Sequence, residues 1–283
     1  MGTSLKSLIS NRQFVVAPGI ADALTGIMVE KAGFSCVYVS GAQVSAIMGY
    51  ADVGLITMTE MLNQLSRICA SVQIPVFSDA DTGYGNVVNV IRTVKEYERI
   101  GVSAIHLEDQ VFPKKCSRYS GKGLIPADEM CWKIKAALDA RASDQFMIIA
   151  RTDAASSSGF EDAVDRAIKY RGAGADAIMF QSPRSIEDLK AFRARVEGPL
   201  VVTLGSWNID IGVDGVRQLG YEVVLVPNAT MRASIKSVAS CLEIIKSTGD
   251  INSLLPLIAP LSVRDELVGV KEVAELEKRY SSQ

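Results

Sequence analysis

Residues 74–84 read Ile74-Pro75-Val76-Phe77-Ser78-Asp79-Ala80-Asp81-Thr82-Gly83-Tyr84, an apolar run followed by two acidic residues and a glycine turn. The apolar run predicts a buried strand, and the carboxylates of Asp79 and Asp81 leave its carboxyl end just before the turn. Paired oxygen ligands suit a hard divalent cation such as Mg²⁺, which binds few carboxylates and keeps several waters. Because α/β enzymes keep their chemistry where parallel strands end, the segment predicts a metal-dependent enzyme on a parallel-strand scaffold.

The same kind of unit, an apolar run followed by a helical stretch, recurs along most of the chain. Amphipathic segments at residues 58–72, 128–141 and 160–172 predict helices, and Thr57 or Thr59 is expected to cap the first of them. The apolar runs have no polar face, which is typical of strands buried on both sides. Strands are predicted at residues 14–17, 36–40, 74–79, 104–108, 146–151, 177–181, 200–204 and 222–227.

Eight strand–helix units within about 245 residues predict an α/β fold, a (β/α)8 TIM barrel. We expect one domain over residues 1–283, with the barrel at about 10–245 and a helical extension at about 250–283. A doubly wound open sheet is the alternative, but it usually has fewer strands and a glycine-rich nucleotide loop after the first one. The residues after the first predicted strand, Pro18-Gly19-Ile20-Ala21-Asp22, do not form that motif. Residues 261–283 predict one extra charged helix, either exposed or packed on a neighbouring subunit.

The overall composition is that of an ordinary globular protein. The 283 residues are 48% hydrophobic and 22% charged with a formal net charge of -2, so nucleic-acid binding receives little support. No apolar stretch reaches the roughly 18 residues of a membrane span, and residues 1–6 lack the apolar core of a secretory signal. The five cysteines are odd in number and form no CxxC pair, so we expect a reducing, cytoplasmic setting.

Polar side chains follow four of the predicted strands at the point where each strand ends. Any one acid there is more often a helix cap or a partner in a loop ion pair, but their joint occurrence favours a metal site with an anionic substrate. The four sets are Tyr38-Val39-Ser40-Gly41, Asp79 with Asp81, His106-Leu107-Glu108-Asp109-Gln110 and Arg151-Thr152-Asp153. His106 is the only histidine and is expected to be a hydrogen-bonded core residue, so Ser-His-Asp chemistry and a histidine metal site receive little support.

A long polar loop at residues 112–124 follows strand four and carries Cys116 among basic residues. Loops of this length in compact domains tend to be lids or disordered segments. We expect the positive potential of Lys115 and Arg118 to favour the Cys116 thiolate, so that the sulfur shuttles a proton or attacks a substrate. An exposed, incidental cysteine is the alternative, and the residues alone leave both readings open.

The motifs resemble those of the isocitrate lyase and phosphoenolpyruvate mutase superfamily, over residues from about 10 to about 245. The similarity is closest to the group of 2-methylisocitrate lyase, 2,3-dimethylmalate lyase and petal death protein. The resemblance rests on Tyr38-Val39-Ser40-Gly41, Asp79-Ala80-Asp81-Thr82-Gly83-Tyr84-Gly85-Asn86, Glu108-Asp109-Gln110, Lys114-Lys115-Cys116 and Ala150-Arg151-Thr152-Asp153. It implies a β/α barrel whose eighth helix is exchanged between paired subunits, and thus a homo-oligomer, either a dimer or a tetramer.

The resemblance also implies a metal site. Mg²⁺, with Mn²⁺ as the alternative, would be held by Asp79 and Asp81, with Glu108 and Asp52 nearby and partly acting through water. Cleavage of a C–C bond beside a carboxylate produces enolate-like charge, which a bound cation and the guanidinium of Arg151 would stabilise.

The substrate site implied by the resemblance takes a small carboxylic acid. Tyr38, Ser40 and Gly41 would hold one carboxylate, and Arg151 would hold another anionic group. Cys116 would protonate the departing carbanion, so catalytic roles fall to Cys116, Arg151 and Glu108.

Three positions depart from the lyase pattern. The loop reads Lys115-Cys116-Ser117-Arg118 where the lyases usually have Gly-His after the cysteine. The strand-six glutamate of the lyases aligns with Gln181, and the strand-seven asparagine aligns near Thr203, both of which we still expect to contact substrate. These changes put 2-methylisocitrate itself in doubt as the substrate.

The sequence favours a Mg²⁺-dependent C–C lyase acting on a small 2-hydroxy dicarboxylate or tricarboxylate through an enolate-like intermediate. Residues 199–205 resemble the oxaloacetate decarboxylase branch, so oxaloacetate decarboxylation or hydrolysis is the alternative, although that branch lacks the loop cysteine. A phosphonomutase characteristically has asparagine where Cys116 stands. Arg118 and Gln181 also allow a non-catalytic barrel that binds a dicarboxylate.

Overall fold

The computed structural model describes residues 3–205 and 209–281. Eight parallel strands form a closed barrel in which each strand pairs with its neighbours in chain order and β8 pairs with β1. The predicted TIM barrel is therefore confirmed. The strands are Val15–Ile20 (β1), Val37–Val39 (β2), Val76–Asp79 (β3), Ala104–Glu108 (β4), Met147–Thr152 (β5), Ala177–Phe180 (β6), Leu200–Thr203 (β7) and Val223–Val226 (β8).

The first strand is longer than predicted, because Pro18 and Gly19 continue β1 instead of ending it. Pro18 is in register with Val226 of β8. A Cβ atom on Gly19 would lie 2.3 Å from the carbonyl oxygen of Pro227, so only glycine allows the backbone after β8 to pass this close. The glycine is thus a packing residue at the seam where the barrel closes.

Helices follow the strands and pack side by side around them. Thr57 caps α4 in a capping box with Glu60, which confirms the cap predicted there. The loop at residues 112–124 contains no helix or strand, as predicted. The helices of the barrel are Leu5–Ser10 (α1), Ala23–Lys31 (α2), Gly41–Ile47 (α3), Met58–Ser71 (α4), Val87–Arg99 (α5), Ala127–Ala140 (α6), Ala154–Ser157 (α7), Phe160–Gly172 (α8), Ile186–Arg195 (α9) and Val213–Gln218 (α10).

The core has two layers because side chains alternate along each strand. In β5, Met147 and Ile149 pack inside the barrel, whereas Ile148 and Ala150 pack outward against the helices. The next inward position is Arg151. In most strands the last side chain that points into the barrel, at the carboxyl end of the strand, is polar. The barrel interior is therefore apolar through most of its depth and polar or charged at its mouth, the end where the strands finish.

Residues after β8 form a second compact unit, because the chain divides into Met1–Ala229 and Thr230–Gln283. Its helices are Ala229–Thr248 (α11), a 3₁₀ helix at Ile251–Leu257, Leu261–Leu267 (α12) and Val270–Ser281 (α13). The prediction of one helix over residues 261–283 is wrong, since Gly269 has φ +71° and interrupts it; residues 282–283 lie outside the described residues. No helix in the described residues is long and apolar enough to cross a membrane. The single domain, the exchanged helix and the cytoplasmic location stay predictions.

Candidate active site

The mouth of the barrel holds a small cavity of about 40 Å³. Gly41, Asp81 and Glu108 lie directly beside its lining, in contact with residues that form it. The structure therefore brings all of the predicted site residues together. Those that line the cavity are Tyr38, Ser40, Asp52, Asp79, Cys116, Arg151, Gln181 and Thr203.

Asp79 and Asp81 face each other across the start of α3. The Gly41 N–H donates to Asp79 Oδ2 at 3.3 Å, and the Asp81 N–H donates to Asp79 Oδ1 at 3.0 Å. A Cβ atom on Gly41 would lie 2.8 Å from Asp79 Oδ2 and 3.3 Å from Asp81 Oδ1. Asp81 itself has φ +48°, a strained conformation for a residue with a side chain. The left-handed backbone of Asp81 and the close approach of Gly41 to both acids together fix the positions of the two carboxylates.

The two carboxyl groups differ in their ease of ionisation. Burial opposes ionisation of Asp79, but His106, Lys114 and Arg151 overcome it and lower its pKa to about 2. Burial raises the pKa of Asp81 to about 6, although Lys114 acts in the opposite direction. Asp79 is therefore ionised at neutral pH, and Asp81 is mostly ionised there but takes up a proton in mildly acidic solution, well before Asp79 does.

Arg151 links Glu108 to Asp153. Its Nη1 lies 3.0 Å from Glu108 Oε2, while Nε and Nη2 donate to Asp153 at 2.8 and 3.1 Å. Burial raises the pKa of Glu108 well above its ordinary value, and Arg151 only partly offsets this. A fully buried acid beside a guanidinium is a basic group once it is ionised.

The donor set fits a hard divalent cation. Among the described residues, Asp81 Oδ1 and both carboxylate oxygens of Glu108 are buried and have no well-aligned hydrogen-bond donor; their cationic neighbours are Lys114, 2.9 Å from Asp81 Oδ1, and Arg151, 3.0 Å from Glu108 Oε2. Within residues 3–205 and 209–281, no three His, Cys, Asp or Glu side chains converge closely enough to hold a metal by themselves. Mg²⁺ suits such a site, because it keeps several waters and needs only one or two carboxylates.

Lys114 is a site residue that the sequence analysis quoted in the Lys114-Lys115-Cys116 motif without assigning it a role. It is 4% exposed, and its Nζ lies 2.5 Å from Asp52 Oδ1 and 2.9 Å from Asp81 Oδ1. Burial lowers the pKa of Lys114, but Asp81 and the other acids raise it well above the ordinary value. The signal that could have found it is its spacing, because positions two apart in an extended loop share a face and Cys116 faces the cavity.

The expected stabilisation of the Cys116 thiolate is wrong. Burial raises the pKa of the thiol; the Arg118 N–H opposes this, and the negative charge of Asp52 adds to it. The backbone N–H of Cys116 donates to the Asp52 carbonyl at 2.9 Å, which fixes the residue at the cavity. At neutral pH the sulfur carries its proton, so it is suited to giving a proton rather than to attack as a thiolate.

His106 is a buried, hydrogen-bonded residue, as predicted. Its Nε2 lies 2.9 Å from the hydroxyl of Tyr38 and 3.6 Å from Asp79 Oδ1. Burial lowers its pKa to about 4, so the ring is neutral at physiological pH. It supports Tyr38 from inside the barrel.

Gln181 and Thr203 face each other at the opposite side of the cavity. Thr203 Oγ1 lies 3.4 Å from Gln181 Oε1, and both side chains are almost fully buried. Ser182, next to Gln181, has φ +65°, which turns the chain away sharply after β6. The pair offers neutral hydrogen-bonding groups, in contrast to the charged side formed by Asp79 and Arg151.

Two relatives are similar to the chain over most of their length. The 2,3-dimethylmalate lyase of Eubacterium barkeri is 37% identical over 281 residues, which cover 98% of this chain and 97% of the relative. The 2-methylisocitrate lyase of Aeropyrum pernix is 39% identical over 282 residues, which cover 99% of this chain and 91% of the relative.

Solved structures are similar over the same range. The phosphoenolpyruvate phosphomutase of Streptomyces platensis subsp. rosaceus superposes with a TM-score of 0.95 and 33% identity, covering 98% of each chain. Oxaloacetate acetylhydrolase in complex with 3,3-difluorooxalacetate superposes with a TM-score of 0.92 and 28% identity, covering 99% of this chain and 97% of the other. Phosphonopyruvate hydrolase in complex with oxalate and Mg²⁺ superposes with a TM-score of 0.91 and 30% identity, covering 98% of each chain.

Residues 5–246, nearly the whole barrel and part of α11, match the phosphoenolpyruvate phosphomutase family. The relatives and the solved structures that resemble the chain are enzymes of the same superfamily. The resemblance inferred from the motifs is therefore confirmed, and the chain belongs to the phosphoenolpyruvate phosphomutase family.

Proposed function

We propose that the protein is a Mg²⁺-dependent lyase that cleaves a carbon–carbon bond in a small 2-hydroxy dicarboxylate or tricarboxylate. One observation carries the proposal: the thiol of Cys116 faces the same cavity as the guanidinium of Arg151 and the carboxylates of Asp79 and Asp52, and burial raises its pKa, which favours the protonated form. Two lyases of such acids are 37% and 39% identical to this chain, which supports the same reaction class here.

The residues divide into an anion site and an acid cluster. Ser40 and the Gly41 backbone, with the hydroxyl of Tyr38 beside them, bind one substrate carboxylate, and Arg151 binds a second anionic group. In the acid cluster, Asp79 and Asp81 would hold Mg²⁺, with Glu108 and Asp52 contributing through water. When bound, the metal supplies Lewis-acid stabilisation of negative charge on substrate oxygens.

Bond cleavage requires one proton to leave the substrate and another to be given back. Burial raises the pKa of Glu108, and Arg151 together with a bound Mg²⁺ would act against this and keep the carboxylate ionised, so that it accepts the proton of the 2-hydroxyl group. The electron pair of the broken bond stays on the carbon next to the remaining carboxylate as an enolate. Cys116 donates its S–H proton to that carbon, and the second product leaves as a carbonyl compound.

The test is an assay of purified protein with a panel of substituted malates and citrates. We expect at least one to be cleaved with Mg²⁺, with activity lost on EDTA treatment and restored by added Mg²⁺. Cys116→Ser should lower kcat by about 100-fold, the usual contribution of a general acid. Cys131→Ser, which removes a half-buried thiol from α6, is the matched control. If no acid is cleaved although Mg²⁺ and oxalate bind, the lyase assignment fails.

Oxaloacetate hydrolysis or decarboxylation is the second candidate. Thr203 and Gln181 offer a neutral wall, and the acetylhydrolase with its oxaloacetate-like inhibitor has a TM-score of 0.92. The same Cys116→Ser variant separates the two reactions, because a decarboxylase needs no loop thiol and should keep its turnover. Binding of oxalate without any product would instead favour the non-catalytic barrel.

A further inference from the structure

Gln110 makes a two-point contact with the backbone of the loop that covers the cavity. Its Oε1 accepts from the Lys115 N–H at 2.9 Å, and its Nε2 donates to the Lys115 carbonyl at 2.9 Å. The side chain is buried, with the residue only 1% exposed. A primary amide bonded at both ends to one residue fixes both the position and the direction of that stretch of chain.

Lys115, the residue that Gln110 holds, lies between two residues of the candidate site. Lys114 on one side forms ion pairs with Asp52 and Asp81, and Cys116 on the other side lines the cavity. The Lys115 side chain points away, with Nζ donating to the Gly121 carbonyl at 3.2 Å near the surface. Because alternate side chains of an extended segment face opposite sides, holding the Lys115 backbone sets both neighbours at once.

Gln110 is well suited to this role because its own backbone is fixed. It lies two residues after the end of β4 and pairs with Leu124 in an isolated antiparallel bridge, and the Val111 N–H donates to the Gly123 carbonyl at 2.8 Å. Backbone hydrogen bonds around Gln110 therefore join the two ends of the loop, and the Gln110 side chain holds the loop at Lys115. One residue ties the loop to the end of a barrel strand in two places.

We infer that Gln110 is a positioning residue that sets the loop segment 114–116 over the cavity by way of the Lys115 peptide. It touches neither substrate nor metal in this role. The kcat part of its test rests on the proposed function, but the loop measurements do not.

The experiment compares Gln110→Met with the parent protein. Methionine keeps the length and much of the shape of glutamine but loses both hydrogen-bonding groups. Loss of two ordinary hydrogen bonds predicts that trypsin cleaves after Lys115, Arg118 or Lys122 about tenfold faster, as measured by mass spectrometry of the fragments. Iodoacetamide should modify Cys116 faster by a similar factor of about ten at fixed pH.

Catalysis provides the third measurement. In Gln110→Met, kcat should fall by about tenfold or more, while the Kd for oxalate, which binds at Arg151, changes by less than about threefold. Gln110→Glu keeps the acceptor for the Lys115 N–H and should fall between the parent and Gln110→Met in all three measurements.

Tyr221→Phe is the control for a general loss of stability. It also removes a buried hydrogen bond from a side chain to a carbonyl, from Tyr221 to Leu189 at 2.9 Å, but it lies far from the loop in sequence and does not line the cavity. Its loop cleavage and kcat should stay within about twofold of the parent. The inference is overturned if Gln110→Met matches Tyr221→Phe in loop cleavage and thiol modification. If those two measurements change but no substrate is turned over by the parent, the proposed function fails and the positioning role stands.

Discussion

Asp153 orients Arg151 through two hydrogen bonds, from Nε to Oδ2 at 2.8 Å and from Nη2 to Oδ1 at 3.1 Å. The remaining amino group of the guanidinium faces Glu108. Such a forked, charge-assisted pair fixes the plane of the guanidinium as well as its position. The guanidinium that we propose to bind the substrate anion is thus held in a fixed orientation by the protein itself.

Replacement of Asp153 by asparagine should weaken anion binding. The amide can accept only one of the two hydrogen bonds and carries no charge, so Arg151 loses its fixed orientation. We expect the Kd for oxalate, measured by calorimetry, to rise about tenfold. Asp144→Asn, an identical change at a side chain that is 75% exposed, should leave the Kd unchanged. Equal affinities in both variants would show that Asp153 does not orient the guanidinium.

The Cys116 thiol should react slowly with iodoacetamide at pH 7. Its pKa lies above the ordinary value of 9.0, and only the thiolate is alkylated, so the rate should rise with pH and reach half its maximum above pH 9. Cys36, buried and with a pKa of about 12, should stay unmodified over the same range. Peptide mass spectrometry separates the two sites, and half-maximal modification of Cys116 below pH 8 would contradict its role as a proton donor.

Mg²⁺ should stabilise the fold measurably. The buried oxygens of Asp81 and Glu108 already face Lys114 and Arg151, and Mg²⁺ would add a divalent charge beside them. At about 100 times its Kd, a ligand that binds only the folded state adds about 2.7 kcal/mol to the free energy of unfolding. Asp81→Asn should abolish the rise in melting temperature, whereas Asp144→Asn should keep it. A melting temperature that is insensitive to Mg²⁺ in the parent protein would argue against the metal site.

Gly41→Ala should disrupt the acid pair without unfolding the barrel. The added Cβ would lie 2.8 Å from Asp79 Oδ2, so the carboxylate must move. We expect kcat/KM to fall by about 100-fold, as is usual when a catalytic group is misplaced by about an ångström. The control is Gly172→Ala at the end of α8, where a Cβ meets nothing within 4 Å. That variant should keep full activity and gain about 0.5 kcal/mol of stability, because alanine favours helix more than glycine.

The barrel and the clustering of the strand-end side chains could be predicted because both follow from a local pattern, whereas Asp52, Gln181 and Thr203 were proposed as site residues only through the resemblance to the superfamily. Side chains alternate along each strand between a row that packs against the helices and a row that reaches the mouth, as Ala150 and Arg151 illustrate in β5. The acids at the ends of β3 and β4 then had to meet, since parallel strands in a barrel all end on one side.

Other properties depend on contacts between distant residues and left no local signal. The pKa of Cys116 is set by burial and by Asp52, far away in the sequence, so the neighbouring basic residues gave the wrong sign. Pro18 and Gly19 look like a strand ending, and only the nearby Pro227 explains why β1 continues through them. Lys114 received no role from the sequence because its two acidic partners are remote in the chain.

The separation of inward and outward side chains bears on the redesign of the site. Gln181 and Thr203 stand on the row that faces the cavity, while their neighbours Phe180 and Val202 face the helices. We expect exchange of the first pair to alter what the protein recognises and to leave the second pair, which supports folding, untouched. Strand-end changes of this kind carry little risk to the architecture.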